Sequence, residues 1–163
     1  MATHIAHGRY TAYTDQPFVV FLIGMRVNKP LHVRKWLPVA NAMAPMIRHL
    51  KEHPEAGLLH FEQFFSWPRV LMVQYWRSFE DLERFARDEN APHLQPWRDF
   101  YKRSGKAGDA VGIYHETYLV QPGNYEAIYA NMPVFGLAAA TRHITVAEAR
   151  SAARERLQAV GAP

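Results

Sequence analysis

The chain of 163 residues contains no cysteine. Disulfide bonds, zinc fingers, iron–sulfur clusters, thiolate-ligated haem and thiol nucleophiles are therefore excluded, and a cytoplasmic localisation is favoured. Long apolar runs are also lacking, because the longest covers only residues 18–25, whereas a membrane-spanning helix needs about 20 residues. The polar stretch 1–17 has no apolar core of the kind found in secretion signals. We therefore expect no membrane partner.

Acidic residues are scarce in one part of the chain. The net charge is only +4, but six Lys and Arg residues fall within residues 26–51, where no Asp or Glu occurs. Such a cluster is typical of a nucleic-acid interface, of a solvated helix face or of a dock for an anionic ligand. Because no motif that reads RNA or DNA accompanies the charge, we predict no nucleic-acid partner.

Apolar residues, by contrast, are plentiful at 48%, and 13% aromatics accompany nine histidines. This composition is sufficient for a packed core and suits one domain of this length. Without cysteine, any chemistry must come from His, Tyr, Trp, Arg, Asn and carboxylate side chains.

The hydrophobic periodicity predicts a ferredoxin-like α+β fold. Strand patterns cover residues 18–27, 58–65, 70–76 and 111–120, and helical stripes cover residues 33–53, 78–87 and 91–104. The resulting order βαββαβ predicts an antiparallel four-stranded sheet with its two principal helices on one face. Apolar residues remain on the other face, and a second copy of the chain would cover them most economically, so we expect a homodimer.

The ends of the chain are predicted to be appendages of this domain. We divide the chain into an irregular N-terminal arm (1–16), the ferredoxin-like domain (17–140) and a C-terminal helical extension (141–163). The pattern of Thr145 and Glu148 is typical of a capping box at the start of a helix. A further short helix is expected over residues 125–131, ending before Pro133. Within residues 33–53, Pro38 fits a first helical turn, whereas Pro45 predicts either two short helices or a kink.

Three stretches carry a resemblance to a known family. They are QYWRSFEDLERFA at residues 74–86, HETY at residues 115–118, and YEAIYANMP at residues 125–133 followed by GLA at residues 136–138. The chain resembles the small monooxygenase-like family with relatives in fungal terpenoid (fumagillin-type) biosynthesis, which is related to the antibiotic-biosynthesis monooxygenase superfamily. The resemblance implies a dimeric α+β barrel and an oxygenase-like activity on a hydrophobic or aromatic small molecule, without an organic cofactor.

The chemistry implied by this resemblance needs a base that deprotonates an electron-rich substrate and a donor that stabilises the anion before it reacts with oxygen. His115 is the predicted base, with a hydrogen-bonded structural histidine as the alternative. Asn131 is the predicted donor, with a helix C-cap as the alternative. His60 is a third catalytic candidate, because it approaches His115 if the two side chains share a face. His60, His115 and Glu62 are of residue types that bind metal ions, but their spacing in the sequence matches no known metal-ligand signature. We therefore predict no metal.

A pocket for this chemistry is expected between the sheet and the helices, lined by large aromatic side chains and one histidine. The substrate-binding candidates are Trp36, Tyr75, Trp76, His93, Trp97 and Tyr118. Two other functions stay open at this point. One is a haem-dependent lyase or oxygenase with His60, His93 or His115 as axial ligand, and the other is a non-catalytic protein that binds apolar ligands.

Overall fold

The computed structural model describes residues 4–87, 102 and 105–149, which form two antiparallel sheets and the helices that pack on them. The strands are β1 (Ala6–Tyr13), β2 (Phe18–Val27), β3 (Leu58–Ser66), β4 (Arg69–Trp76), β5 (Val111–Val120), β6 (Tyr129–Met132) and β7 (Arg142–Thr145). The α-helices are α1 (Val33–Ala40), α2 (Met43–Glu52), α3 (Phe79–Arg87) and α4 (Leu137–Ala140). Short 3-10 turns at Pro54–Ala56 and Gly108–Ala110 precede β3 and β5. Of the predicted helix over residues 91–104, only Lys102 lies within the described residues, and it is helical, as are residues 105–107.

The larger sheet confirms the predicted ferredoxin-like fold. Its strand order is β3-β4-β2-β5, and every neighbouring pair is antiparallel. Strands β2 and β5 match the predicted bounds, and β3 and β4 each extend one residue further into the loop between them. Within the described part of one chain the sheet is open, with β3 and β5 as its edges. The dimeric barrel therefore stays a prediction.

The main core lies between this sheet and helices α1–α3. Alternate residues of β2 point toward the helices, because successive side chains of a strand project to opposite faces. These residues (Val19, Phe21, Ile23, Met25 and Val27) pack with Met72 and Trp76 of β4 and with apolar residues of all three helices. Trp76 is fully buried, at 0% exposure, in the middle of this layer.

The helical stretch before β3 is divided into α1 and α2. The break falls at Asn41–Ala42, and Pro45 lies in the first turn of α2, where its missing N–H costs no helical hydrogen bond. Of the two alternatives for Pro45, two short helices or a kinked helix, the first is therefore confirmed. Pro38 differs from expectation, because α1 begins at Val33 and Pro38 lies in its interior, where the helix lacks one donor.

A second, three-stranded sheet of order β6-β1-β7 contradicts three local predictions. Residues 6–13 of the predicted irregular arm form β1, residues 129–131 of the predicted helix lie in β6, and residues 142–145 of the predicted helical extension form β7. These strands are held by backbone pairing with segments more than 100 residues away, which local periodicity does not reveal. The capping box does form: Glu148 N–H donates to Thr145 Oγ1 over 3.2 Å, and Thr145 N–H donates to Glu148 Oε2 over 2.7 Å. Residues 150–163 lie outside the described part.

The chain itself covers part of the larger sheet's second face. Leu137 and Ala138 of α4 form a small core with Ala12 and Phe18, and Phe135 lies edge-on to Phe64 of β3. The expectation that a second copy covers this face therefore applies only to the part that the chain itself leaves uncovered. The β5 half still presents Tyr114 and Tyr118, at 44% and 50% exposure. Within the described residues, no helix is long and apolar enough to span a membrane.

Candidate functional site

A cavity of about 250 Å³ lies between the larger sheet and helices α2 and α3. Its floor is made by Phe21 of β2 and by Gln74 and Trp76 of β4, and its open side is bounded by His115 and Thr117 of β5. The helices contribute a roof that is apolar except for the charged residues Glu83 and Arg87 of α3: its apolar members are Met43, Met46, Ile47 and Leu50 from α2, and Phe79, Leu82, Phe85 and Ala86 from α3. The cavity therefore combines an apolar enclosure with a few polar groups, as is typical of small-molecule sites.

The register of the strands places the polar groups at opposite ends of one row. Phe21 is paired with Gln74 on one side and with Thr117 on the other. Neighbouring strands are about 4.8 Å apart, so Gln74 and Thr117 are separated by about 10 Å across the cavity floor. His115 precedes Thr117 by two residues and therefore points to the same face. A ring-sized molecule on Phe21 would have polar groups at both ends.

Gln74 is a buried carboxamide, at 4% exposure, in an otherwise apolar floor. The indole Nε1–H of Trp76 donates to Gln74 Oε1 over 2.9 Å, and since an indole only donates, this bond fixes which end of the amide is oxygen. The Gln74 amino group donates to the thioether sulfur of Met72 over 3.2 Å, and thioether sulfur is a weak acceptor. The amino group therefore retains donor capacity for an oxygen atom of a ligand.

His115 lies at the accessible side of the cavity. The edge strand β5 fixes its direction, and its ring centroid is 5.7 Å from that of Phe21, with an interplanar angle of 37°. The residue is exposed and also lines the cavity, so His115 borders both the solvent and a molecule in the cavity. At the α3 side of the opening, Arg87 Nη1 and Glu83 Oε1 form an ion pair of 2.9 Å.

A second polar cluster occupies the opposite face of the sheet. His60 Nε2 lies 2.8 Å from Glu62 Oε1, and the same carboxylate oxygen accepts a 3.1 Å hydrogen bond from the Gly136 backbone N–H. Burial raises the pKa of Tyr75, and the nearby Tyr129 and Glu62 raise it further. Burial also raises the pKa of Tyr129, although backbone hydrogen bonds from the start of α4 partly offset the effect. The cluster thus attaches the α4 segment to β3 and β4.

His60 and His115 do not approach each other. They lie on the two edge strands of the sheet and on opposite faces, since His60 stacks with Tyr75 whereas His115 faces the helices. The condition under which His60 would approach His115, a shared face, is therefore not met. A metal site of both histidines with Glu62 does not form, and within residues 4–87 and 105–149 no group of three or more His, Asp or Glu side chains is placed to hold a metal.

The other predicted site residues are dispersed. Trp76 lines the cavity with His115, whereas Tyr118 faces away from it and donates to Glu116 over 2.5 Å. Trp36 packs edge-on to Trp67, and its indole donates to the Pro30 carbonyl. His93 and Trp97 lie outside the described residues.

Asn131 has neither of its two expected environments. It lies in β6 with a left-handed φ of 52°, not in or after a helix. Its side-chain oxygen accepts a 3.0 Å hydrogen bond from Gly8 N–H, at the point where the pairing between β1 and β6 is irregular. The side chain therefore stabilises a strand bulge in the smaller sheet.

Sequence reasoning overlooked Gln74 as a site residue. A signal was available, because Gln74 is the one polar residue in the apolar strand VLMVQYW, and it alternates with Met72 and Trp76 toward the core. A polar residue at an inward position of a core strand needs a partner. The neighbouring Trp76 supplies one for the oxygen, and the weakly accepting sulfur of Met72 supplies one for the amino group of this cavity-lining residue.

Comparison with known proteins gives a family and a fold. Residues 18–137 match the family model of monooxygenase af470-like proteins. Monooxygenase af470 of Aspergillus fumigatus is 29% identical over 124 residues, which cover 69% of this chain and 42% of that protein's length. Aldoxime dehydratase OxdRE, solved with butyraldoxime, has a similar fold, with a TM-score of 0.57 and 16% identity over 78% of this chain and 38% of its own. SnoaB, a cofactor-independent oxygenase from Streptomyces nogalater, matches 64% of this chain and 93% of its own at 9% identity and a TM-score of 0.44.

Proposed function

The chain belongs to the monooxygenase af470-like family, and from that membership we propose that it oxygenates a hydrophobic or aromatic small molecule in the cavity between the sheet and helices α2 and α3. The observation that carries the proposal is the row on the cavity floor. It places Thr117 at the accessible end and the Gln74 amino group at the buried end of an apolar enclosure, and His115 lies two residues from Thr117 on the same face of β5.

In the proposed reaction, His115 takes a proton from an activated C–H group of the substrate through a ring nitrogen. The Gln74 amino group donates to the substrate oxygen on which the negative charge is delocalised. For a substrate methylene between two activating groups, the carbanion reacts with O₂, the carbon becomes a carbonyl, and the second oxygen atom leaves as water. The substrate supplies all the electrons, so the reaction needs no organic cofactor.

The apolar walls assist both steps. Phe21, Met46 and Trp76 exclude water from the bound substrate, and the low local polarity strengthens the hydrogen bond from Gln74. We also propose a homodimer that buries the exposed β5 half of the second face, around Tyr114 and Tyr118. Sedimentation at micromolar concentration measures this directly, and a monomeric chain would contradict the dimer without affecting the proposed chemistry.

The test is oxygen consumption with an anthrone as the activated methylene compound, in the presence of a metal chelator. We expect turnover to carbonyl product, a loss of about 10²–10⁴-fold in His115→Ala, and a loss of about 10²-fold in Gln74→Leu. His53→Ala is the matched control, because His53 is an exposed histidine that contacts Glu55 outside the cavity. If His60→Ala abolishes turnover and His115→Ala does not, the reaction belongs to the opposite face and the proposal is wrong.

A haem-dependent reaction is separated by one further measurement. Titration with haemin should leave the Soret band at the position of free haemin, and anthrone turnover should be unchanged by added haemin. A shifted Soret band that is lost in His115→Ala would instead assign the histidine to haem ligation.

A further inference from the structure

A second cavity lies beside the first on the same face of the sheet. It has a volume of about 230 Å³ and is enclosed by β2, β3 and β4 below and by the junction of α1 and α2 above. Its side chains are almost all apolar, including Met25, Val39, Ala40 and Met72, with Gln63 as the polar exception. It therefore differs from the first cavity, whose polar groups suit a reacting end of a molecule.

The two cavities are consecutive along the strands. The first lies over the paired residues Phe21 and Gln74, and the second lies over the next pair on that face, Ile23 and Met72. Two residues along a strand correspond to about 7 Å. Met43, the first residue of α2, lines both cavities and stands at their boundary.

The sequence places a movable side chain at that boundary. The helix break at Asn41–Ala42 ends α1 over the second cavity and starts α2 with Met43 over the boundary. A methionine side chain has three rotatable bonds and repacks at low cost. A ligand can therefore extend from one cavity into the other by displacing a thioether instead of the backbone.

We propose that the two cavities form one elongated binding site, in which the second cavity takes a saturated hydrocarbon chain attached to the reacting head of the substrate. This inference rests on the proposed function for the location of the head, and it adds the substrate class: an amphipathic molecule with a polar aromatic or activated head and a linear apolar tail. The methionines Met25, Met43 and Met72 suit a flexible chain, because thioether side chains adapt to irregular apolar shapes.

The methionines also provide the measurement. The ε-methyl groups are labelled with ¹³C, and 4-alkylphenols with chains of one to eight carbons serve as probes. Met46 lines only the first cavity, whereas Met25 and Met72 line only the second. Met132, in the smaller sheet, is an internal reference.

4-Methylphenol should shift the Met46 signal and leave the Met25 signal unchanged. Longer alkyl chains should shift Met43 and then Met25 and Met72. Affinity, measured by calorimetry on the same samples, should rise about threefold to fourfold per added methylene until the second cavity is filled.

Two matched variants fill the cavities separately, since each places a phenyl ring at a half-buried alanine on a helix. Ala40→Phe, in the second cavity, should leave the affinity for 4-methylphenol unchanged. The affinity should then stop rising at a shorter alkyl chain than it does in the unmodified protein. Ala86→Phe, in the first cavity, should weaken binding of every member of the series. If Ala40→Phe does not fold, Ala40→Leu and the methyl spectra of the unmodified protein answer the same question.

The outcomes separate the two proposals. The elongated site is wrong if long alkyl chains leave the Met25 and Met72 signals unshifted. It is also wrong if the affinity of Ala40→Phe depends on chain length in the same way as that of the unmodified protein. In both cases the first cavity can still be the reaction site. If 4-methylphenol leaves Met46 unshifted and Ala86→Phe does not weaken it, the head does not bind in the first cavity and both proposals fail. Binding of the alkylphenols as expected, together with no oxygen consumption with the anthrone, would support the elongated site and contradict the oxygenase function.

Discussion

Replacing Gly24 by alanine tests how β2 and β5 pack on the face away from the cavities. Gly24 is paired with Tyr114, whose ring lies directly over the glycine. A Cβ atom at position 24 would lie 2.7 Å from Tyr114 Cζ and 2.8 Å from its hydroxyl oxygen. Ordinary contacts between carbon atoms are about 3.5–4.0 Å, so the ring must move by about 1 Å.

Two opposing effects determine the magnitude. Overpacking costs about 1–3 kcal/mol, and the lower end applies here because Tyr114 is 44% exposed and its ring can turn toward solvent. The backbone of Gly24 is not in the left-handed region, so alanine also gains about 0.4–1 kcal/mol by restricting the unfolded chain. We expect Gly24→Ala to lower the free energy of unfolding by about 0.5–2 kcal/mol.

Gly112→Ala is the matched control on the same strand pair, two residues along the register. Its Cβ would meet only Asn28 Nδ2, at 3.5 Å, so the entropic gain of about 0.4–1 kcal/mol should appear without a clash. Urea unfolding should therefore separate the two variants by about 1–3 kcal/mol, and Gly24→Ala with Tyr114→Ala should be less destabilised than the sum of the single changes. If the two glycine variants are equally stable within about 0.3 kcal/mol, the packing of Tyr114 on Gly24 is not as described.

Two further predictions concern helix α3 and are measured by the same unfolding experiments. Ser78→Ala removes the 3.1 Å hydrogen bond from Asp81 N–H to the serine hydroxyl and should lower the free energy of unfolding by about 1 kcal/mol. Ser66→Ala, at an exposed serine, is the control and should lower it far less. Equal losses in the two variants would refute a capping role for Ser78. Burial raises the pKa of Asp81, but the Arg77 and Arg84 guanidinium groups outweigh it, so the pKa is lower than the ordinary value of 3.8. Asp81→Asn should therefore be less stable than the unmodified protein at pH 7, and the difference should shrink as the pH falls from about 5 to 2, where the native carboxylate takes up its proton. A difference that is constant over this pH range would show that the charge of Asp81 does not contribute.

The order and bounds of the larger sheet were predictable because its strands carry strong local signals. β2 and β5 are long, rich in β-branched and aromatic residues, and ended by turn sequences. β1 carries no such signal, since only Thr11 and Ala12 are buried in it and His7, Gly8 and Arg9 are exposed. Its pairing with β6 and β7 depends on contacts distant in sequence, which outweigh local propensity.

The candidate site was predictable only in part, and one residue in β3 explains the largest error. Strict alternation would put Leu58, His60 and Glu62 on one face. In the structure Leu58 is paired with Trp76 and His60 with Tyr75, so two residues of β3 span a single step of β4. Leu59 is the extra residue of this bulge, and it reverses the direction of every later side chain in the strand.

That reversal determines which histidine remains available to the cavity. Without the bulge, His60 and Glu62 would enter the core layer beside Trp76, where a half-buried ionisable pair would be costly to desolvate. With it, Phe61 packs against the helices, and the pair moves to the face where the Gly136 N–H completes the hydrogen bonding of Glu62. His115 is then the histidine that the described residues bring to the cavity. Among the described residues, the carboxylate that lines this cavity, Glu83, is held in an ion pair by Arg87, so an acid–base reaction there depends on His115 and not on a histidine–carboxylate pair.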